Sequence, residues 1–143
     1  MAFEKILVIC VGNICRSPIA EALLKQQYPN KQVDSAGLSA VVGSPVDPKS
    51  QAVMTPYNVD MSEHVAKQIN EQLVKTASLI LTMSEGQKKW IEERWPHCRG
   101  KTFRIGHWID KDIADPYRHE KSAFETARQD IVASLEQWTD KIS

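Results

Sequence analysis

Cys10 and Arg16 enclose the segment Val11-Gly12-Asn13-Ile14-Cys15, and Ser17-Pro18 follow at once. A thiol and a guanidinium at this spacing suit the chemistry of an anion. Gly12 permits close backbone approach, and a loop that runs into a helix N-terminus turns several N–H groups toward its own centre. Arg16 adds a planar fork of donors matched to a tetrahedral oxyanion. The same positive surroundings lower a thiol's pKa to roughly 3.5–7.5, which makes Cys10 a thiolate nucleophile. Ser17 can donate a hydrogen bond to it. Residues 10–17 therefore read as an anion cradle with a built-in nucleophile, and a phosphate ester is the anion it suits best.

A thiolate that attacks phosphorus needs an acid to protonate the departing oxygen. Asp110, Asp112 and Asp115 are the candidates, all within the polar stretch 106–120. Asp115-Pro116-Tyr117 stands out, because proline holds the preceding residue extended and Tyr117 offers an aromatic wall. Cys15 adds a redox expectation: curled close to Cys10, its thiol would capture a sulfenic acid on Cys10 as a disulfide. Other residues carry less. Gly100-Lys101-Thr102 lacks the upstream glycine of a nucleotide-binding loop, since Trp95 stands there. His64, His97, His107 and His119 show no metal-ligand spacing, so no metal site is expected.

Elements that position this loop alternate along the chain, which predicts an α/β fold with a parallel sheet. Lys5–Cys10 is the first strand, its unbroken apolar run implying burial on both faces. Ser17 as N-cap and Pro18 at the first helical position open a helix that runs to about Tyr28. Gln32–Ala36 is a second strand, and 38–48 a loop ending where Asp47-Pro48 start a helix that Pro56 ends or kinks. Lys67–Lys75 reads as a helix with Ile69, Leu73 and Val74 inward, followed by a strand at Ser78–Met83. Ser84 and Gln87 form a capping box for a helix toward Trp95, and Thr102–Ile105 is a short strand. A last helix opens on the capping box Ser122/Glu125 and carries Phe124, Ala127, Ile131, Leu135, Trp138 and Ile142 on one face.

The 143 residues, 1–143, make one domain. Eighteen basic and eighteen acidic residues cancel, which speaks against a nucleic-acid partner. Three cysteines, two of them in the cradle, do not form a secreted disulfide framework, so a cytoplasmic location is expected. No apolar run is long enough for membrane insertion.

The motif V-C-V-G-N-I-C-R-S-P near the N-terminus, with D-P-Y in the last third, resembles the low-molecular-weight protein tyrosine phosphatases over nearly the whole chain. That resemblance implies a four-stranded parallel sheet flanked by helices, a monomer, and no metal or organic cofactor. It implies Cys10 as nucleophile forming a phosphocysteine, Arg16 as phosphate clamp and Asp115 as acid and then base. Residues 11–17 would hold the phosphate. Asn13, Ser17, Ser35 and His64 would brace the loop, matched through D-S-A-G and the histidine ahead of A-K-Q-I, with Val41 and Tyr117 lining the pocket. S-A-G-L-S-A-V-V-G and the G-H-W before D-P-Y-R are similar to the bacterial branch that acts on tyrosine autokinases of capsule and exopolysaccharide export. Its substrate would be a phosphotyrosine protein of that kind. Arg118 replaces the second tyrosine of animal members. Arsenate reductase, protein arginine phosphatase and a catalytically silent phosphate-binding module are the alternatives.

Overall fold

Ile6 to Cys10 are all buried, and their side chains divide by alternation between two separate cores. Ile6, Val8 and Cys10 face one core and Leu7 and Ile9 the other, so this strand must be covered on both sides. The computed structural model describes residues 3–142 and shows how that is done. Strands β1 (Lys5–Cys10), β2 (Gln32–Gly37), β3 (Leu79–Thr82) and β4 (Thr102–Arg104) form one parallel sheet in the order β2-β1-β3-β4. Helices α1 (Arg16–Gln27), α2 (Pro48–Met54) and α5 (Lys121–Glu136) cover one face, and α3 (Glu71–Thr76) and α4 (Glu85–Arg94) the other. Burying each of Ile19, Leu24, Phe124 and Ile131 in the first core stabilises the fold by about 1.5–3 kcal/mol.

The chain leaves β1 toward β2 on one side and later returns to place β3 on the other. Strand order therefore reverses at the carboxyl ends of β1 and β3, where open α/β sheets leave a crevice for ligands. Cys10 ends β1 at that crevice.

Several local readings need correction. Helix α1 begins at Arg16 with Cys15 in the cap position, not with Ser17 as N-cap and Pro18 first. The Ser17 hydroxyl is engaged by Asn13 and Cys10 and cannot cap. Residues 67–69 are not helical: Gln68 bridges to Gly37, Lys67 N–H donates to Asn13, and α3 starts only after Asn70, whose side chain caps it. Ile69 and Val74 are nonetheless buried. Ser84 caps α4 as expected, but Gln87 returns its bond to the Met83 N–H. The Ser122/Glu125 box does not form, because α5 opens two residues earlier, behind Glu120. The last helix breaks at Gln137, and α6 (Thr139–Ile142) follows. That break turns Trp138 so that its Nε1–H reaches the Ile105 carbonyl at 2.7 Å. Asp47 and Pro48 do start α2, with the Asp47 carboxylate accepting from the Lys49 N–H at 2.8 Å.

Candidate active site

Six consecutive carbonyls, from Cys10 to Cys15, accept hydrogen bonds from outside the loop. Leu38, Ser39 and Val41 N–H groups reach Cys10, Val11 and Gly12 at 3.0 Å each. His64 Nε2 reaches Asn13 at 2.6 Å, Asp47 N–H reaches Ile14 at 2.8 Å, and the Ser50 hydroxyl reaches Cys15 at 3.2 Å. With the carbonyls tied outward, the N–H groups of residues 12–15 have no partner among the described residues and remain available to an anion. Asn13 makes this possible by adopting φ 60°, the left-handed conformation that folds successive N–H groups into an anion nest. Gly37 is required alongside, since a Cβ there would lie 2.5 Å from the Val11 carbonyl.

Asn13 is also the hub behind the loop. Its amide nitrogen donates to Ser17 Oγ at 2.8 Å and Ser35 Oγ at 2.9 Å, while its oxygen accepts from Lys67 N–H at 2.9 Å. The Ser35 hydroxyl in turn donates to Glu21 Oε1, and His64 Nδ1 faces the same carboxylate at 3.9 Å. Ser17 Oγ, already accepting from Asn13, lies 3.0 Å from Cys10 Sγ. Toward a thiolate, Ser17 is the donor. Asn13, Ser17, Ser35 and His64 thus meet around the loop, while sequence reading missed Glu21. Its place on the inner face of α1, one turn after Ser17, was the available signal.

Arg16 is only 4% exposed. Its Nη1 donates to the Ile113 carbonyl at 2.7 Å and its Nη2 lies 3.6 Å from Asp115 Oδ2. Its Nε has no partner among the described residues, an orphaned cationic donor that an anion would satisfy. Asp115 stands at the mouth, about half exposed, with Oδ1 accepting from the Tyr117 N–H at 3.1 Å. The cavity between these groups measures about 150 Å³, with Cys10, Arg16, Val11, Val41, Asp115 and Tyr117 in its wall. Asp110 and Asp112 are not there. Both pair with Arg104, at 2.6 and 3.0 Å, and these bonds push the arginine's pKa above its usual value.

Cys15 also borders the cavity, but burial pushes its thiol up to about 12, with the charges of Asp47, Cys10 and Asp115 adding to the effect. Cys98 is fully buried in the core on the opposite face of the sheet from Cys10. Lys101 caps the end of α3 by donating to the Val74 and Ala77 carbonyls at 2.7 and 2.6 Å. An open depression of about 450 Å³ behind the loop is bordered by Glu21, Ser35 and His64 but reaches neither Cys10 nor Arg16. Among the described residues no cluster of His, Cys, Asp and Glu suited to a metal occurs, and no helix is long and apolar enough to cross a membrane.

N–H groups without partners among the described residues, a buried guanidinium and a thiol border one cavity, an arrangement that suits an anion of the size and charge of a phosphoryl group. Comparison with known proteins supplies the class. The model of the family Low molecular weight phosphotyrosine protein phosphatase matches residues 5–143, and the chain belongs to that family. It is a protein-tyrosine phosphatase. It is 49% identical over 142 residues to the low molecular weight protein-tyrosine-phosphatase Ptp of Acinetobacter johnsonii, covering 99% of this chain and 100% of that one. It is 47% identical to the probable phosphatase EpsP of Ralstonia nicotianae, over 97% of this chain and 96% of the other. Among solved structures, Vibrio vulnificus Wzb in complex with benzylphosphonate matches with a TM-score of 0.93 and 42% identity, covering 98% of this chain and 99% of that one.

Proposed function

We propose that the chain hydrolyses phosphotyrosine through a phosphocysteine on Cys10, and that its substrate is a bacterial tyrosine autokinase of capsule or exopolysaccharide production. The outward tethering of every carbonyl from Cys10 to Cys15 is the observation that carries the chemistry, because it leaves a preorganised ring of donors above the thiol. Cys10 Sγ, with the Ser17 hydroxyl 3.0 Å away, attacks phosphorus as the bond to the phenolic oxygen breaks. Loop N–H groups and Arg16 Nε and Nη2 take the charge spread over the three non-bridging oxygens. Asp115 gives its proton to the departing oxygen. Tyrosine leaves, and Asp115, now a carboxylate, takes a proton from the water that attacks the phosphocysteine. Ser17 stabilises the thiolate that is released with inorganic phosphate.

Depth selects the substrate. The thiol is 2% exposed at the bottom of a slot flanked by Val41 and Tyr117, which a phosphate on a flat aromatic stem reaches and one on a serine does not. The benzylphosphonate held by the Vibrio vulnificus relative has that shape. Ile14 beside the slot, in place of threonine, speaks for phosphotyrosine over phosphoarginine. An arsenate reductase would need further cysteines on a mobile segment, and the candidate outside the loop, Cys98, is sealed behind the sheet. A silent module would not need Ser17 on Cys10 or Asp115 at the mouth. The autokinase assignment rests on S-A-G-L-S-A-V-V-G and G-H-W. A panel of phosphotyrosine, phosphoserine and phosphoarginine peptides, with the phosphorylated autokinase tail as a further substrate, tests both. Phosphotyrosine is expected to be cleaved fastest, and faster cleavage of either other class overturns the reading.

A further inference from the structure

Asp115 lies in a polar segment that must be held against the rest of the molecule, and the hold passes through Arg104. This arginine ends β4 with its side chain only 17% exposed. Its Nη2 donates to Asp110 Oδ1 at 2.6 Å and its Nη1 to Asp112 Oδ1 at 3.0 Å, with Glu85 Oε1 3.6 Å from Nε. The same Asp112 oxygen accepts from the Glu85 N–H, the first amide of α4, at 3.1 Å. The next residue, Ile113, makes two bonds that matter for the reaction. Its N–H donates to the Met83 carbonyl at the end of β3 at 2.8 Å, and its carbonyl receives Arg16 Nη1 at 2.7 Å. Two residues later the chain reaches Asp115.

Three carboxylates surround this one guanidinium. Without it, Glu85, Asp110 and Asp112 would repel one another and the segment would swing outward, carrying Asp115 with it. We propose that Arg104 is a positioning residue for phosphoryl transfer: through Asp110 and Asp112 it holds the segment so that Asp115 stands at the pocket mouth, while Ile113 keeps its own tether to Met83. The proposal rests on Asp115 as the acid of the reaction. It also gives Asp110 and Asp112 a task other than proton transfer.

Arg104→Met keeps the volume and removes the fork. Its kcat/KM for phenyl phosphate is expected to fall roughly tenfold, as misplacement of a catalytic group by a fraction of an ångström does, and that for 2,4-dinitrophenyl phosphate, which needs no proton, by less than about threefold. Arg104→Lys should recover part of the loss. In an Asp115→Asn background the same substitution should cost less than about threefold for phenyl phosphate, because the group it positions is already gone. Equal losses for both esters, or an undiminished loss in the Asp115→Asn background, would show a merely structural role and overturn the proposal. Should Arg104→Met not fold, Asp110→Asn and Asp112→Asn, both on exposed carboxylates, must show the same leaving-group grading or the proposal falls. Asp115→Asn alone separates the two readings. No graded loss there removes the acid and the proposal together, whereas a graded loss there without one at Arg104 removes the proposal alone.

Discussion

The cradle at residues 10–17 and the segment 106–115 meet at Arg16 yet are held by opposite means. In the cradle every carbonyl from Cys10 to Cys15 is tied, and Asn13, Arg16 and Ser17 are buried. Breaking one such buried bond costs about 1–3 kcal/mol, because the partner is left unsatisfied. The segment 106–115 is tied by Ile113, by the ion pairs of Arg104 and of Lys111 with Asp130, and by His107 and Trp108 against Trp138, with Asp110, Asp112 and Asp115 about half exposed or more. Exposed ion pairs are worth about 0–1 kcal/mol each. The difference follows the chemistry. Donors around a developing phosphorane must not move, whereas the acid meets a leaving group that arrives from solvent and departs again.

Replacing the nucleophile is the severest test of the rigid half. Cys10→Ser should lower turnover of para-nitrophenyl phosphate by roughly 10⁴-fold or more, since an unactivated hydroxyl is a far poorer nucleophile than a thiolate. Vanadate or phosphate should still bind when measured by calorimetry, because the loop N–H groups and Arg16 remain. Appreciable turnover would reassign the nucleophile.

The half held by ion pairs comes next. Asp115→Asn should slow phenyl phosphate cleavage by about 10²–10⁴ and an activated ester much less. Comparable loss at Asp110 or Asp112, with Asp115→Asn close to the parent, would mean that the acid sits elsewhere on the segment and that its ion pairs break during turnover.

Tyr117→Ala addresses the wall where the two halves face each other. Loss of one aromatic contact, about 0.5–1.5 kcal/mol, should raise KM for aryl phosphates two- to tenfold. Inhibition by inorganic phosphate should be nearly unchanged. A parallel loss for both would show that the Tyr117 side chain shapes the loop rather than contacting the aryl group.

Cys15 gives the smallest effect in reducing buffer. Cys15→Ser should keep activity within about twofold, as expected of a residue that supplies backbone rather than side chain to the anion site. After peroxide, the parent should recover with a dithiol through a Cys10–Cys15 bridge and the variant should not. Because burial pushes the Cys15 thiol up to about 12, it is protonated at neutral pH. Attack on a sulfenic acid requires the thiolate, so the recovered fraction should rise as the oxidation pH is raised from 7 to 9. Equal recovery of parent and variant would leave Cys15 a packing residue.

Nearest-neighbour chemistry was legible from the residues alone. An apolar run buried on both faces, Cys10 at its end, Gly12 and Arg16 beyond it, and the stiff Asp115-Pro116 pair are local signals, and each stands where its type predicts. The alternation of elements likewise predicted the parallel sheet. Tertiary structure decided which of several available partners each group takes. Ser17 was free to cap a helix until Asn13 and Cys10 claimed its hydroxyl. Lys67 and Gln68 fit a helix until Asn13 and Gly37 drew that stretch out straight. That Asp110 and Asp112 are taken up by Arg104, away from the cavity, could not be read from spacing, because Arg104 sits on a different element. Sequence spacing specifies which groups a segment can offer, but hydrogen-bonding groups are used once. Which offer is taken is settled only when the fold brings the competing partners together.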